Sequence, residues 1–95
     1  LMYFPAGVRE FYWVSDRGGF SHLYRYDYTG KLLNQVTKGP WEVTFVHHID
    51  PAAKKVYYTS TEAAPTERQL YVIDTDGQNK RRLTAAAGRH TVNFS

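Results

Sequence analysis

An internal repeat constrains the fold of this chain more than any other feature of its sequence. The segment from Phe11 to Gly39 recurs, in order, from Val56 to Gly88. Most matched positions lie 47 residues apart, as in Leu23 with Leu70, Asp27 with Asp74, Gly30 with Gly77 and Thr37 with Thr84. Upstream of these the offset is 45, and the two extra residues fall between Ser60 and Leu70, where a loop tolerates insertions. A period of about 45 to 50 residues is typical of β-propeller blades.

Each repeat carries four short apolar segments separated by turn residues, which predicts four strands per repeat. We place these strands near residues 2–4, 10–14, 23–28 and 32–36 in the first unit, and near 43–49, 55–59, 70–74 and 80–83 in the second. The turns from Asp27 to Gly30 and from Asp74 to Gly77 put Asp first and Gly last, which favours tight hairpin turns. The predicted units are residues 1–39, residues 40–88, and residues 89–95 as the first strand of a further blade.

Several predicted strands are apolar on both faces. Phe11 and Trp13 alternate with Tyr12 and Val14, and the segment from Leu70 to Ile73 behaves in the same way. A sheet with one face in water needs only one apolar face, whereas sheets that stack face to face around an axis need two. The sequence therefore predicts an all-β chain made of about two four-stranded antiparallel blades of a β-propeller, as a fragment of a larger fold.

The composition narrows the range of partners. With 95 residues the chain can build only a small core, and without Cys it can form neither disulfides nor thiolate metal sites. The net charge is +3. The one dense basic run is Lys80 to Arg82, and its side chains alternate between the two faces of a strand. We therefore expect no nucleic-acid partner. The sequence has no apolar stretch of about 20 residues, so we expect no membrane span.

The four His are the only candidates for imidazole metal ligands. His47 and His48 are adjacent on a predicted strand, so they point to opposite faces and could share an ion only across a bulge. His22 and His90 lie in or near predicted loops, without a carboxylate or a second His at ligand spacing. We expect no metal site and no cofactor.

The sequence also argues against a catalytic centre within the chain. No Ser stands in a G-x-S-x-G turn, and Ser15 beside Asp16 with a distant His is a chance grouping. Gly18 and Gly19 lack the Lys and the helix of a phosphate-binding loop. We therefore predict no catalytic and no cofactor-binding residue, and a chain that is not an enzyme on its own.

Three further residues are ambiguous from the sequence alone. Glu62 and Glu67 flank a predicted loop that contains Pro65 and could bind a cation or an amine, but solvated loop acids are the more common case. Trp41, which follows Gly39 and Pro40, could be an exposed binding aromatic. The interpretation that we favour is a plug that packs between adjacent sheets.

Several strings of residues resemble a known family. The string YWVSDRGGFSHLYRYD, from Tyr12 to Asp27, resembles the SERDGxxHLYxY signature of the propeller in dipeptidyl peptidase IV-type enzymes of the prolyl oligopeptidase class. VTKGPWEVT resembles the LTxGxWxV of the same family, and VYYTSTEAAPTERQLYVI with RLT and GRHTVNFS is similar to its next unit. The resemblance covers nearly all of residues 8–95, with small departures such as Asp16 in place of the usual Glu.

The resemblance implies a place in a larger enzyme. Similar segments are late propeller blades, which precede a C-terminal α/β-hydrolase domain that carries the catalytic Ser, Asp and His of the family. None of these residues maps onto this chain, and neither does the acidic pair that grips the substrate N-terminus in the family. The resemblance implies a non-catalytic wall of the internal chamber, with the hydrolase domain of the parent chain and short peptide substrates as partners. It also favours a periplasmic or extracellular location in a bacterium.

A second class of protein shares some of these features. Non-enzymatic propellers of the TolB or WD40-like type, which are interaction modules without peptidase activity, have the same turn, a similar LY strand and the terminal LT pair. The parent of this chain would be a serine-type dipeptidyl peptidase in the first case and a binding module in the second. In either case two blades leave open edges and apolar faces, so we expect the fragment to self-associate through them.

Overall fold

The computed structural model describes residues 2–64 and 67–84, which form two antiparallel sheets of four strands each. Sheet one contains β1 (Met2–Tyr3), β2 (Glu10–Ser15), β3 (His22–Asp27) and β4 (Leu32–Gln35). Sheet two contains β5 (Val43–Asp50), β6 (Lys55–Ala64), β7 (Glu67–Asp74) and β8 (Arg81–Arg82). Strands are ordered in each sheet as they follow along the chain. The predicted all-β fold, with two four-stranded antiparallel sheets, is confirmed.

The described residues include no helix that is long and apolar enough to cross a membrane. Residues 89–95, predicted as the first strand of a further blade, lie outside the described residues. The unit boundaries at residues 39 and 88 stay predictions.

The pairing register is the same in both sheets. Glu10 lies opposite Asp27 in sheet one, and Lys55 lies opposite Asp74 in sheet two. Each of these residues is displaced from its counterpart by the offset that the repeat predicts, 45 for the second strand and 47 for the third. Because a slip of one residue would turn every side chain to the other face, the shared register gives each sheet the same inner and outer positions.

The hairpin between the second and third strands differs between the sheets. In sheet one, β2 ends at Ser15 and a tight turn follows, in which the Gly19 amide donates to the Asp16 carbonyl at 2.9 Å. In sheet two, β6 continues to Ala64 and β7 begins at Glu67, so the strands are longer than the predicted 55–59 and 70–74. The two inserted residues, predicted to lengthen a loop, instead let the ladder continue past an irregularity between Ser60 and Ala64.

The Thr at the end of each repeat closes its sheet. The Leu23 amide donates to Thr37 Oγ1 at 3.0 Å, and the Leu70 amide donates to Thr84 Oγ1 at 3.0 Å. These hydroxyls hold the chain just after the fourth strand against the third strand. The repeated Thr is therefore explained by one structural role that both units need.

The core lies between the two sheets. Its buried members come from both sheets: Tyr12, Leu23 and Val36 from sheet one, and Val43, Val46, Val56, Tyr58, Tyr71 and Ile73 from sheet two. Burial of each large apolar side chain contributes roughly 1.5 to 3 kcal/mol relative to exposure. Hydrogen bonds join the sheets at both ends, since the Asn34 side-chain amide donates to the Thr75 carbonyl at 3.0 Å and the Val43 backbone amide donates to the Ser21 carbonyl at 2.8 Å.

Replacement of Gly77 by Ala should destabilise the protein more than the same change at Gly30. Both glycines have a positive φ, +91° at Gly30 and +89° at Gly77, so both changes introduce backbone strain of about 1 to 2 kcal/mol. A Cβ at Gly77 would also lie 3.1 Å from the Gln35 and Val36 carbonyl oxygens of sheet one, while a Cβ at Gly30 would meet nothing within 4 Å. We expect an additional loss of about 1 to 2 kcal/mol for Gly77→Ala. Urea unfolding of the two variants measures the difference, and equal losses would contradict the close approach.

The two repeated Asp residues should make the fold sensitive to acid. Hydrogen bonds from Thr29 hold the pKa of Asp27 below its usual value, and a hydrogen bond from Asn79 does the same for Asp74. A carboxyl with a lower pKa in the folded state contributes stability above its unfolded pKa, and that contribution is lost as the pH falls through the folded pKa. Asp27→Asn and Asp74→Asn should therefore reduce the loss of stability between about pH 5 and about pH 2. Urea midpoints at the two pH values test this, with Asp16→Asn as the control, and an unchanged acid dependence would refute it.

Candidate functional site

The linker from Thr37 to Glu42 joins the two sheets and is held by His22. His22 is buried at the start of β3, with Nδ1 at 2.9 Å from Thr37 Oγ1 and Nε2 at 2.8 Å from the Gly39 carbonyl oxygen. Because a carbonyl can only accept, Nε2 carries the proton and donates, and Nδ1 accepts from the Thr37 hydroxyl in the tautomer that satisfies both bonds. His22, which the sequence places in or near a loop, is the first residue of β3 and fixes the linker.

Trp41 packs between the two sheets. Its ring meets the His22 ring edge-on at 4.7 Å and lies parallel to the Tyr58 ring at 6.4 Å, so it contacts one residue of each sheet. A Cβ on Gly39 would lie 2.2 Å from the indole nitrogen, which explains why Gly occupies that position, where φ is +139°. The interpretation of Trp41 as a plug between adjacent sheets is confirmed.

Glu62 is the residue whose environment differs most from expectation. Its side chain is only 8% exposed, and Lys80 Nζ lies 2.5 Å from Oε1. The Ser60 hydroxyl donates to Oε2 at 2.7 Å and the Tyr58 hydroxyl donates to it at 3.1 Å. The prediction of a solvated loop acid is therefore wrong for Glu62, because the extended β6 places it on the sheet. Burial, together with the Glu62 charge, raises the pKa of Tyr58 far above its usual value.

Lys80 connects this acid to the plug. Its ammonium group lies 5.0 Å from the centre of the Trp41 ring, a cation–π geometry. The cation, the buried carboxylate and the indole form one cluster between β6, β8 and the linker. Glu67, the other acid considered from the sequence, begins β7. The polar groups of this cluster are bound to one another, and the charge of Lys80 is balanced by that of Glu62.

A cleft of about 410 Å³ opens at the opposite end of the sheets, beside the turns that follow β5 and β7. Arg25 binds Glu10 in a bidentate pair, with Nε at 2.9 Å from Oε1 and Nη2 at 2.6 Å from Oε2. The hydrogen bonds that Arg25 donates to Glu10 also raise the pKa of Arg25. Lys55 pairs with Asp74 across the ladder. Because these lining charges neutralise each other, the cleft is better suited to holding the sheets together than to binding a charged molecule.

His47 and His48 lie on β5, where the register shifts between Val46 and His48. The strict alternation that we assumed for this pair is therefore interrupted, and both residues are exposed. The His47 ring lies 4.9 Å from the Phe45 ring, and partial desolvation lowers the pKa of His47. Within residues 2–64 and 67–84, no group of three or more His, Cys, Asp or Glu could hold a metal ion. His90 lies outside the described residues.

Ser15 lies directly across the ladder from His22 and beside Asp16. A catalytic Ser needs a His nitrogen that is free to accept its proton. Both ring nitrogens of His22 are engaged by Thr37 and Gly39, and Ser15 Oγ accepts a long contact of 3.3 Å from the Arg17 amide. Gly18 and Gly19 complete the tight turn that follows. This grouping therefore forms part of the hairpin and lacks the geometry of a nucleophile and its base.

Substitution of His22 should separate hydrogen bonding from packing. Gln69, the counterpart of His22 in sheet two, accepts from Thr84 Oγ1 at 2.5 Å, so an amide can serve the repeated Thr. We expect His22→Gln to lose less than about 1 kcal/mol of unfolding free energy, and His22→Ala to lose about 2 to 3 kcal/mol, because the Thr37 and Gly39 groups become unpaired. Urea unfolding distinguishes the two variants. Equal losses would mean that the imidazole acts by packing alone.

Comparisons with known proteins place this arrangement in a family. The model of the dipeptidyl peptidase IV N-terminal region matches residues 2–95. The chain is 40% identical over 63 residues to dipeptidyl peptidase 4 of Arthroderma otae, which covers 66% of the chain and 8% of that protein. It is 36% identical over 84 residues to dipeptidyl peptidase 4 of Trichophyton equinum, covering 86% of the chain and 11% of that protein.

A solved structure gives the same result. The crystal structure of Porphyromonas gingivalis dipeptidyl peptidase 4 matches with a TM-score of 0.77 and 38% sequence identity, over 87% of this chain and 11% of that one. The chain thus spans about a tenth of the relatives that it matches. These matches do not favour a TolB or WD40-like interaction module. The register of the two sheets, the plug between them and the match over residues 2–95 agree, and the chain belongs to the dipeptidyl peptidase IV N-terminal region family.

Proposed function

We propose that this chain is a non-catalytic stretch of β-propeller in a dipeptidyl peptidase, where it forms part of the wall of the substrate chamber and supports the hydrolase domain. The observation that carries the proposal is the use of the polar groups at the junction of the sheets. His22, Glu62 and Lys80 all bind other parts of the chain. Polar groups that bind one another in this way make the junction of the sheets rigid and are not free to act as a reactive centre.

The stiffness has a physical source. The linker is held from sheet one by His22 and from sheet two by the stacking of Trp41 on Tyr58. Movement of one sheet relative to the other would break these contacts and expose the core between them. A chamber that admits only short peptides needs walls that do not open, and two sheets locked in this way meet that requirement.

The proposal predicts that the 95-residue chain has no peptidase activity by itself. Peptide hydrolysis by a serine peptidase requires an activated Ser, its His and acid, and an oxyanion hole, which the proposal assigns to another domain. We expect no release of product from Xaa-Pro dipeptidyl substrates and no labelling by serine-directed phosphonates. The longer protein that contains this chain should show both. Hydrolysis by the 95-residue chain that is abolished by Ser15→Ala would overturn the proposal.

In the longer protein, Trp41→Ala should lower the amount of active enzyme but not the chemistry of each active site. The indole is half-buried between the sheets, so we expect a loss of about 2 to 4 kcal/mol in unfolding free energy. Phosphonate titration counts the active sites, and kcat per titrated site should stay close to that of the unmodified enzyme. Tyr28→Ala, at an exposed turn position, serves as the control. A lower kcat per titrated site with an unchanged number of sites would argue for direct participation of this segment in catalysis.

A further inference from the structure

A groove runs between β1 and β5, the first strands of the two sheets. Its volume is about 380 Å³, and its lining includes Met2, Tyr3, Phe4, Val46, His47 and His48. Tyr3 packs against the core and Val46 belongs to it, while Phe4, His47 and His48 are exposed at the rim. The volume lies at the lower end of the range, about 300 to 1,000 Å³, that is typical of ligand pockets. We call this feature the edge groove.

A bulge in β5 places two imidazoles at this groove. The pairing advances by two residues on β5, from Val46 to His48, for one residue on β6, so His47 is the extra residue of the bulge. Strict alternation would turn His48 to the core face together with Val46. Instead Val46 and Ile49 both pair with core residues of β6, and both His are exposed. The bulge thus directs His47 and His48 out of the core, as bulges beside binding sites do.

The edge groove lies on an uncharged edge of the sheets. Neither β1 nor the part of β5 from Val43 to Ile49 contains Lys, Arg, Asp or Glu. At the opposite edge of sheet two, β8 consists of Arg81 and Arg82, both of which are exposed. Charged side chains on an edge strand are typical of an edge that faces bulk water. The edge formed by β1 and β5 is therefore the one that suits the central channel of a propeller, around which the sheets are arranged.

The chemistry of the edge groove suits an extended peptide with an apolar side chain. Within residues 2–64 and 67–84, β1 and β5 each have a neighbouring strand on one side only. Backbone groups on such an edge can bind an extended peptide, while a pocket beside them selects its side chains.

The rings along β5 favour an apolar side chain in that pocket. Phe45 is 54% exposed, and its ring meets the His47 ring edge-on at 4.9 Å. Partial desolvation lowers the pKa of His47, so the imidazole is mostly neutral at neutral pH. An aromatic or aliphatic side chain can therefore pack on these rings, whereas a Lys side chain would lose hydration without gaining a carboxylate partner.

We propose that the edge groove binds the part of a peptide substrate that follows the scissile bond, and that His47 selects an apolar or aromatic side chain there. This inference rests on the proposed function, which assigns the reactive centre to another domain. The dipeptide that is released spans at most about 7 Å, so it is too short to extend from another domain into this chain. The remainder of the peptide has the length to reach the groove.

A second copy of this chain is the alternative occupant. The open edge of another copy could pair with β1 or β5 and fill the edge groove. Such pairing requires an edge that other proteins can reach, whereas in the proposed propeller this edge faces the channel. The longer protein would therefore admit a peptide to the groove and exclude a folded second copy.

The test measures substrate preference in the longer protein that contains this chain. The substrates are Xaa-Pro peptides with a remainder of Gly and Ser, in which one Phe or one Lys occupies each later position in turn. At one position we expect kcat/KM to be about three- to tenfold higher for the Phe peptide than for the Lys peptide. His47→Glu should lower this ratio by about tenfold, because a carboxylate in the groove attracts Lys and is left unpaired by Phe. The same active sites cleave both peptides, so the ratio does not depend on how much of the variant folds.

Two further variants complete the test. Phe4→Glu changes the β1 side of the groove and should shift the ratio in the same direction as His47→Glu. Leu33→Glu, at an exposed apolar position on the opposite edge of sheet one, is the matched control and should leave the ratio unchanged. Equal cleavage of the Phe and Lys peptides at every position, or equal effects of His47→Glu and Leu33→Glu, would overturn the proposal.

An Xaa-Pro anilide, which has no peptide after the scissile bond, separates this proposal from the proposed function. Cleavage of the anilide by the unmodified longer protein, with a ratio that His47→Glu and Phe4→Glu do not change, would contradict the groove proposal alone. A longer protein that cleaves neither the anilide nor the peptides would refute the proposed function, and the groove proposal with it.

Discussion

The contact between the two sheets is the constraint on which the rest of the structure depends. A sheet of four short strands cannot bury both of its apolar faces alone, and the strands here have two to ten residues each. Stability must therefore come from stacking, and the core contains residues of both sheets in one cluster. Close stacking in turn requires Gly77, whose missing side chain lets β7 and its turn approach the Val36 carbonyl. The linker with Trp41 then fills the space that remains.

Paired polar side chains lie at both ends of the two stacked sheets, and at each end they stabilise the connections between strands. At one end His22, Glu62 and Lys80 hold the linker and the plug. At the other end Arg25 with Glu10, and the Asp of each repeated turn, hold the hairpins. Buried or half-buried charges stabilise a structure only when they are paired and hydrogen-bonded, and these are. These polar groups therefore stabilise the fold. This explains why Ser15 and His22, which could have been catalytic from their residue types, have no catalytic arrangement.

The parts of this structure that sequence could predict are those that depend on neighbouring residues. The Asp and Gly of each turn lie within four consecutive residues, and the pairing register follows from the repeat. Both the turns and the register could therefore be predicted from the sequence. The burial of Glu62 could not be predicted, because it depends on Lys80, 18 positions away, and on a longer β6 in a segment that the sequence predicts to be a loop. The role of His22 depends likewise on a carbonyl 17 positions away. The shift at His47 arises from a bulge, which an alternating pattern does not reveal.

Charge differences between the two sheets can determine the order in which similar sheets stack. Two sheets with the same register and the same kind of apolar face could stack on each other in more than one order, since the apolar contacts alone discriminate weakly. The equivalent positions Arg17 and Glu62 have opposite charges, and Leu33 replaces Lys80. A neighbour that suits one sheet is therefore penalised at the other, by repulsion or by an unpaired buried charge. In the proposed propeller, the residues that differ between repeats would thus determine which sheet follows which, while the residues that recur determine that they stack.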